Sequence, residues 1–285
     1  MLLITTITQH AHSNPSHIAL HDGAEVALSY QALSNEIAET QQQINDHVIS
    51  GTVALAMENS PAWAVIDLAM MANQMPLVPI PAFFSPSQIT HAIDNAGVTV
   101  FITDNPQQYY DLLANRIMKS ATFTVASKRL MLMQISNKTK PLLKDTCKIT
   151  YTSGTTGQPK GVCLSEASML AVATAIVKQA KLTSDNQHLG VLPLAVLLEN
   201  VAGLYANLLA GGCSYLLGSA RTGLTGSQTN IGQLIKALQQ TQANTAILIP
   251  ELLSAIVYTA QHHKNPLPAL RFLAVGVASV SPELL

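Results

Sequence analysis

Residues Tyr151–Val162 read YTSGTTGQPKGV. The glycines Gly154, Gly157 and Gly161 and the hydroxyls of Thr152, Ser153, Thr155 and Thr156 surround one lysine, Lys160. Strand-like apolar residues lie on both sides, Ile149–Tyr151 before and Val162–Leu164 after. Glycines let backbone N–H groups turn inward, hydroxyls add donors and the lysine adds a mobile positive charge. That combination suits an oxyanion with many acceptors, such as a polyphosphate.

Outward from this loop, short apolar runs alternate with helical patterns. Ile4–His12 reads as a short helix ended near Asn14-Pro15, and Ile18–His21 and Glu25–Leu28 flank the hairpin signal Asp22-Gly23. Ser29, Ser60, Ser85 and Ser165 each stand where a helix begins, and Pro61 and Pro86 follow two of them as first-turn prolines. Thr52–Met57, Leu77–Ile80 and Val98–Thr103 read as strands, with Gly97 closing the helix before the last. Pro106–Lys119 is expected as helix, Thr122–Val125 and Leu130–Ile135 as strands, and Asn137–Asp145 as a connector. After the loop come His188–Leu192, Cys213–Leu217, Thr245–Ile249 and Leu270–Val275 as strands, and Leu198–Leu209, Ile231–Thr241 and Pro250–His262 as helices, with Ser219–Asn230 a loop. This alternation predicts an α/β fold of layered sheets with mostly parallel strands. The expected division is a first subdomain over 1–145 and, over 146–285, the loop with a second subdomain.

Composition narrows the partners. The chain has 285 residues, 48% apolar and 11% charged, with a formal net charge of -1, so a large core forms and nothing draws nucleic acid. The uncharged run Val201–Ala220 is broken by Gly203, Gly211 and Gly212, which favours a buried helix, a turn and a strand over a membrane span. Cys147, Cys163 and Cys213 lack CxxC spacing and read as reduced thiols of a cytoplasmic protein. The pairs His10/His12 and His262/His263 have no further ligand at metal spacing.

The loop is not a Walker A motif, because Lys160 sits between Pro159 and Gly161, and no GxGxxG accompanies it. It closely resembles the phosphate loop of the acyl-adenylate-forming superfamily, which includes acyl-CoA synthetases, peptide-synthetase adenylation domains and luciferases. His17–Leu33, Val53–Ile80, Val191–Gly203 and Leu270–Leu284 resemble successive segments of that superfamily's large N-terminal domain, so the likeness covers nearly the whole chain.

The resemblance implies attack of a carboxylate on the α-phosphate of ATP, giving acyl-AMP and pyrophosphate, followed by transfer to a thiol of CoA or a carrier protein. By the same resemblance Thr152, Ser153, Gly154, Thr155, Thr156 and Gly157 hold ATP, Thr156 stands near Mg²⁺, and Lys160 and Thr156 serve the reaction by offsetting phosphate charge. Gly276, Val277 and Ala278 line the adenine side, with Val277 adding bulk where relatives have glycine. Val196 stands where many relatives have a histidine beside the acyl pocket. Glu199, in an apolar helix, either serves that pocket or is a capping or paired structural carboxylate; Trp63 is expected in the core. The chain stops before the superfamily's Gly-x-Thr-Glu stretch, its ribose-binding aspartate and its lysine-bearing C-terminal domain, and the helix start Ser281-Pro282-Glu283 has only Leu284 and Leu285 after it. The isolated chain is therefore expected to be a truncated N-terminal region with little ligase activity. An acid–thiol ligase acting on a fatty or related acid is the leading expectation. An enzyme that loads a carrier protein, and a non-catalytic nucleotide-binding remnant, are the alternatives.

Overall fold

A computed structural model describes residues 2–48, 50–152, 159–225, 228–263 and 267–276. The first half contains α1 (Leu2–Ser13), β1 (Ile18–His21), β2 (Ala27–Ser29), α2 (Tyr30–Asn45), β3 (Thr52–Ala56), α3 (Pro61–Ala72), β4 (Leu77–Pro79), α4 (Pro86–Ala96), β5 (Val98–Thr103), α5 (Pro106–Leu113), β6 (Ile117–Val125) and β7 (Lys128–Ile135). The hairpin β8 (Thr146–Thr152) and β9 (Lys160–Ser165) follows, then α6 (Glu166–Gln179) and β10 (Gln187–Leu189). A π-helical segment, Glu199–Tyr205, runs into α7 (Ala206–Ala210). The remainder is β11 (Cys213–Tyr215), α8 (Ser219–Thr222), β12 (Leu224–Thr225), β13 (Gln228–Thr229), α9 (Ile231–Thr241), β14 (Thr245–Leu248), α10 (Pro250–His263) and β15 (Phe272–Val275).

Serine caps start the helices as their side chains demand. Ser29, Ser60, Ser85 and Ser165 accept hydrogen bonds from the N–H groups of Ala32, Trp63, Gln88 and Ser168, each satisfying an otherwise orphaned donor. At α4 the Gln88 side chain returns a bond to the Ser85 N–H and completes a capping box. Ser85→Ala is expected to cost about 1 kcal/mol, read as a lowered urea midpoint at unchanged slope.

Two large sheets form. One has seven strands in the order β6-β7-β5-β3-β4-β8-β9, parallel from β5 to β8 and antiparallel at both ends. The other has six, β15-β14-β10-β11-β1-β2, parallel except for the edge strand β2. The pleat sends alternate residues to different cores. Val53 and Leu55 of β3 join a core with α1, α2, α3, α6 and α7 between the sheets, whereas Ala54 and Ala56 face α4 and α5 on the outer side. A third core packs α9 and α10 on the far face of the six-stranded sheet. Strand membership crosses position 145, since β1 pairs with β11 and β8 pairs with β4.

Three segments differ from the sequence-based expectation. The helix at Pro106 stops at Leu113, and Ile117–Lys119 instead open β6, because Ile117 finds a cross-strand partner in Ile135. Leu198–Leu209 is not one α-helix but largely π-helical. The Ser219–Asn230 stretch contains the short helix α8 and the strands β12 and β13. Trp63 is fully buried, as expected; His10 is half-buried with its ring edge-on to Tyr30, whereas His12 is exposed. The expected helix start at Ser281 lies outside the described residues.

Candidate functional site

The loop hairpin is anchored by α4. Thr152 pairs with Lys160 across its mouth, and both are exposed there. One residue below, Tyr151 donates its hydroxyl to Asn95 Oδ1 at 2.8 Å and to the Ala92 carbonyl at 3.2 Å. On the other foot His91 Nε2 lies 2.9 Å from the Pro159 carbonyl, so the ring nitrogen there carries the proton. The His91 and Tyr151 rings meet edge to face at 6.2 Å. Burial, and then the Cys163 thiol beside it, push the Tyr151 hydroxyl up to about 12, so it stays a neutral donor. Ser153, Gly154, Thr155, Thr156 and Gly157, expected to bind phosphate, lie outside the described residues, as do Val277 and Ala278.

The base of the same hairpin is buried and charged. Lys148 of β8 and Asp67 of α3 form an ion pair at 2.6 Å, each side chain only 1% exposed. Lys148 Nζ also donates to Asn200 Oδ1, and to the Tyr205 hydroxyl at 2.8 Å. Asp67 Oδ2 accepts from Asn200 Nδ2 at 2.9 Å and from the Tyr205 hydroxyl at 2.7 Å. The ammonium stands over the rings of Trp63 and Tyr205, 5.7 and 5.0 Å from their centroids. Burial, then the charge of Asp67, raise the Tyr205 hydroxyl well above the ordinary phenol value. Every polar atom of the ion pair is thus satisfied, the condition under which a buried pair is tolerated.

The other flank of the π segment carries a second buried pair. Glu199 is fully buried; its Oε1 meets His188 Nε2 at 2.7 Å and its Oε2 accepts the Leu192 N–H at 3.0 Å. His188 Nδ1 lies 3.1 Å from Thr245 Oγ1. Glu199 is therefore a paired carboxylate with both oxygens bound inside the protein. Asn59, after β3, clamps the segment leading to it: its amide donates to the Leu192 carbonyl at 2.8 Å and accepts the Leu194 N–H at 2.7 Å. Val196 is half-buried in the turn that follows, and its carbonyl accepts the Asn200 N–H.

Beyond this turn lies an almost wholly apolar cavity of about 400 Å³. Met169, Val172 and Ile176 of α6 line one side, and Leu198, Val201 and Ala202 the other, with Leu164 of β9 at the loop-hairpin end. A smaller cavity of about 140 Å³ shares Ile176, Leu198 and Ala202 with it and continues to Ala274 of β15. Gly276 closes that side: a Cβ there would come within 2.5 Å of Leu198 Cδ2. Gly276 thus packs against Leu198 of the cavity wall, and Val196, the expected pocket residue, is not among the residues that line the cavity. Sequence reasoning did not single out Lys148, Asp67, Asn200, Tyr205 or His188. The signals were a lone aspartate inside the apolar helix AWAVIDLAMMA and a lone lysine in a buried strand. Among the described residues no three His, Cys, Asp or Glu side chains gather into a metal-holding group, and no helix is long and apolar enough to cross a membrane.

Several known proteins are similar to this chain. A feruloyl-CoA synthase from Amycolatopsis sp is 24% identical over 279 residues, covering 96% of this chain and 54% of that protein. A 60-residue stretch, 21% of this chain and 9% of the relative, is 52% identical to long-chain-fatty-acid–CoA ligase 1 of Schizosaccharomyces pombe. The chain spans about half the length of the feruloyl-CoA synthase. Its fold superposes on the inhibitor-bound N-terminal domain of FACL13 from Mycobacterium tuberculosis with a TM-score of 0.76, at 16% identity, covering 99% of this chain and 71% of that one. O-succinylbenzoate-CoA synthetase from Bacillus subtilis in complex with AMP gives a TM-score of 0.72 at 16% identity, with 95% and 67% covered. The sequence profile described as AMP-binding enzyme matches residues 7–285, and with that match the chain belongs to the AMP-binding, acyl-adenylate-forming family.

Proposed function

We propose that this protein activates an apolar carboxylic acid, fatty or related, as its acyl-adenylate at the expense of ATP, for transfer to the thiol of CoA. The observation that carries the reading is the apolar cavity that runs from Leu164 of the loop hairpin to Leu198, against which Gly276 packs. An acyl chain lying there would present its carboxylate toward the nucleotide, between the phosphate side and the adenine side. The names of the relatives, feruloyl-CoA synthase and long-chain-fatty-acid–CoA ligase, point to the same kind of acid.

Joining a carboxylate to a triphosphate brings two anions together, so charge stabilisation and alignment dominate the catalysis. Lys160, exposed at the hairpin mouth, offsets charge on the leaving pyrophosphate. The hydroxyls of Thr152, Ser153, Thr155 and Thr156 bond phosphate oxygens, and Gly154 and Gly157 let the backbone approach. His91 and Asn95 hold the two feet of the hairpin through the Pro159 carbonyl and the Tyr151 hydroxyl. Thr156 would be the protein ligand of a magnesium ion, whose charge would offset that of the phosphates. Gly276, Val277 and Ala278 would line the adenine side, as the family resemblance implies. Three unpaired cysteines suit a reducing, cytoplasmic setting.

Calorimetric titration of the chain with ATP and with AMP tests the assignment. Lys160→Ala is expected to weaken ATP binding about tenfold or more, the scale of one lost charge-assisted bond, while AMP binding stays nearly unchanged. Equal ATP affinity in both proteins would remove Lys160 from the site.

A further inference from the structure

The π winding of Glu199–Tyr205 needs a cause. Its hydrogen bonds reach five residues back, as from the Ala206 N–H to the Val201 carbonyl, a winding that is rare beside the α-helix. Asn200 and Tyr205 both bond Asp67 Oδ2 and both take a hydrogen from Lys148 Nζ. On an α-helix residues five apart point about 140° away from each other, so the two could not meet one ion pair. With the wider turn they share a face.

The same turns carry the cavity wall. Val201 and Ala202 follow Asn200 directly and line the apolar cavity together with Leu197 and Leu198. Any change of winding between 199 and 205 rotates these side chains relative to α6. We propose that the buried Lys148–Asp67 pair selects the π winding and thereby sets the shape of the cavity, making Lys148 and Asp67 positioning residues for chain-length specificity. The specificity part rests on the acyl-cavity reading above; the winding part does not. Neither side chain touches the cavity, and both act through Asn200 and Tyr205.

The test replaces both charges at once, Asp67→Leu with Lys148→Met, so that neither ion is left alone, and compares Tyr205→Phe, which keeps the pair and removes one link. Two readouts are taken on the full chain: the crystal structure of segment 199–205, and the affinities of a graded series of saturated fatty acids measured by displacement of a fluorescent fatty acid. The double variant is expected to show α-helical winding from Glu199 and a changed order of preference along the series. Individual acids should shift by about tenfold, the scale at which one methylene is told apart in an apolar pocket. Tyr205→Phe is expected to move the same preferences in the same direction by less. A retained π winding in both variants overturns the proposal, as does an α winding with an unchanged preference order. If no fatty acid binds the unsubstituted chain, the acyl-cavity reading and the specificity part fall together, and the winding still decides whether the pair selects it.

Discussion

Asp67→Ala is expected to destabilise the protein by about 3–5 kcal/mol, the cost of leaving one member of a buried ion pair without its partner. The Lys148 ammonium would remain enclosed, with only the Asn200 amide oxygen, the Tyr205 hydroxyl and two aromatic faces around it. These dipoles do not replace a full charge at 2.6 Å. A typical domain has only about 5–15 kcal/mol in hand, so much of the folding free energy would be gone. Urea denaturation should show the midpoint falling at unchanged slope. Adding Lys148→Met to Asp67→Leu should restore most of the loss, because an apolar pair avoids desolvating two ions. A single Asp67→Ala variant as stable as the parent would mean that water reaches Lys148.

Gly203→Ala is the second large effect, and its sign is set by two opposed terms. Replacing glycine in a helical segment gains about 1 kcal/mol through the unfolded chain. Here the added Cβ would fall 2.6 Å from His188 Nε2 and still closer to Glu199 Oε1, on the bond between them. Neither partner yields cheaply. Thr245 holds the other His188 nitrogen and the Leu192 N–H holds the other Glu199 oxygen. Overpacking costs about 1–3 kcal/mol and a strained or lost buried hydrogen bond about 1–3 more, so the steric side wins, for a net loss of about 1–5 kcal/mol. Gly232→Ala, at an exposed position of α9, is the control: a Cβ there meets only Asn230 Oδ1 at 3.5 Å, and its midpoint should hold or rise slightly. Equal midpoints for the two variants would show that the His188–Glu199 pair can move aside.

Both sites show where reading the sequence stops. The capping serines, the first-turn prolines and the strand Val98–Thr103 were legible because each is fixed by residues within a turn of itself. The end of α5 was not, because Ile117 becomes strand only when β7 offers it a partner. The glycine-rich loop was legible as a motif, and the structure adds that α4 holds the two feet of its hairpin through His91 and Asn95. Glu199 stood out as a carboxylate in an apolar run. Its buried partner is His188, a strand residue that no periodicity links to it.

By itself, then, the sequence determined the alternation of strands and helices, most of their starts, the glycine-rich hairpin and the family. These follow from backbone dihedrals, caps and side-chain period, which act over a few residues. Only the tertiary structure decided that Lys148 meets Asp67, that residues 199–205 wind as a π-helix, and that an apolar cavity opens between that segment and α6. The reason is physical. A buried charge is tolerated only where partners from other elements converge on it, and a helix adopts the rarer winding only when such partners hold it there.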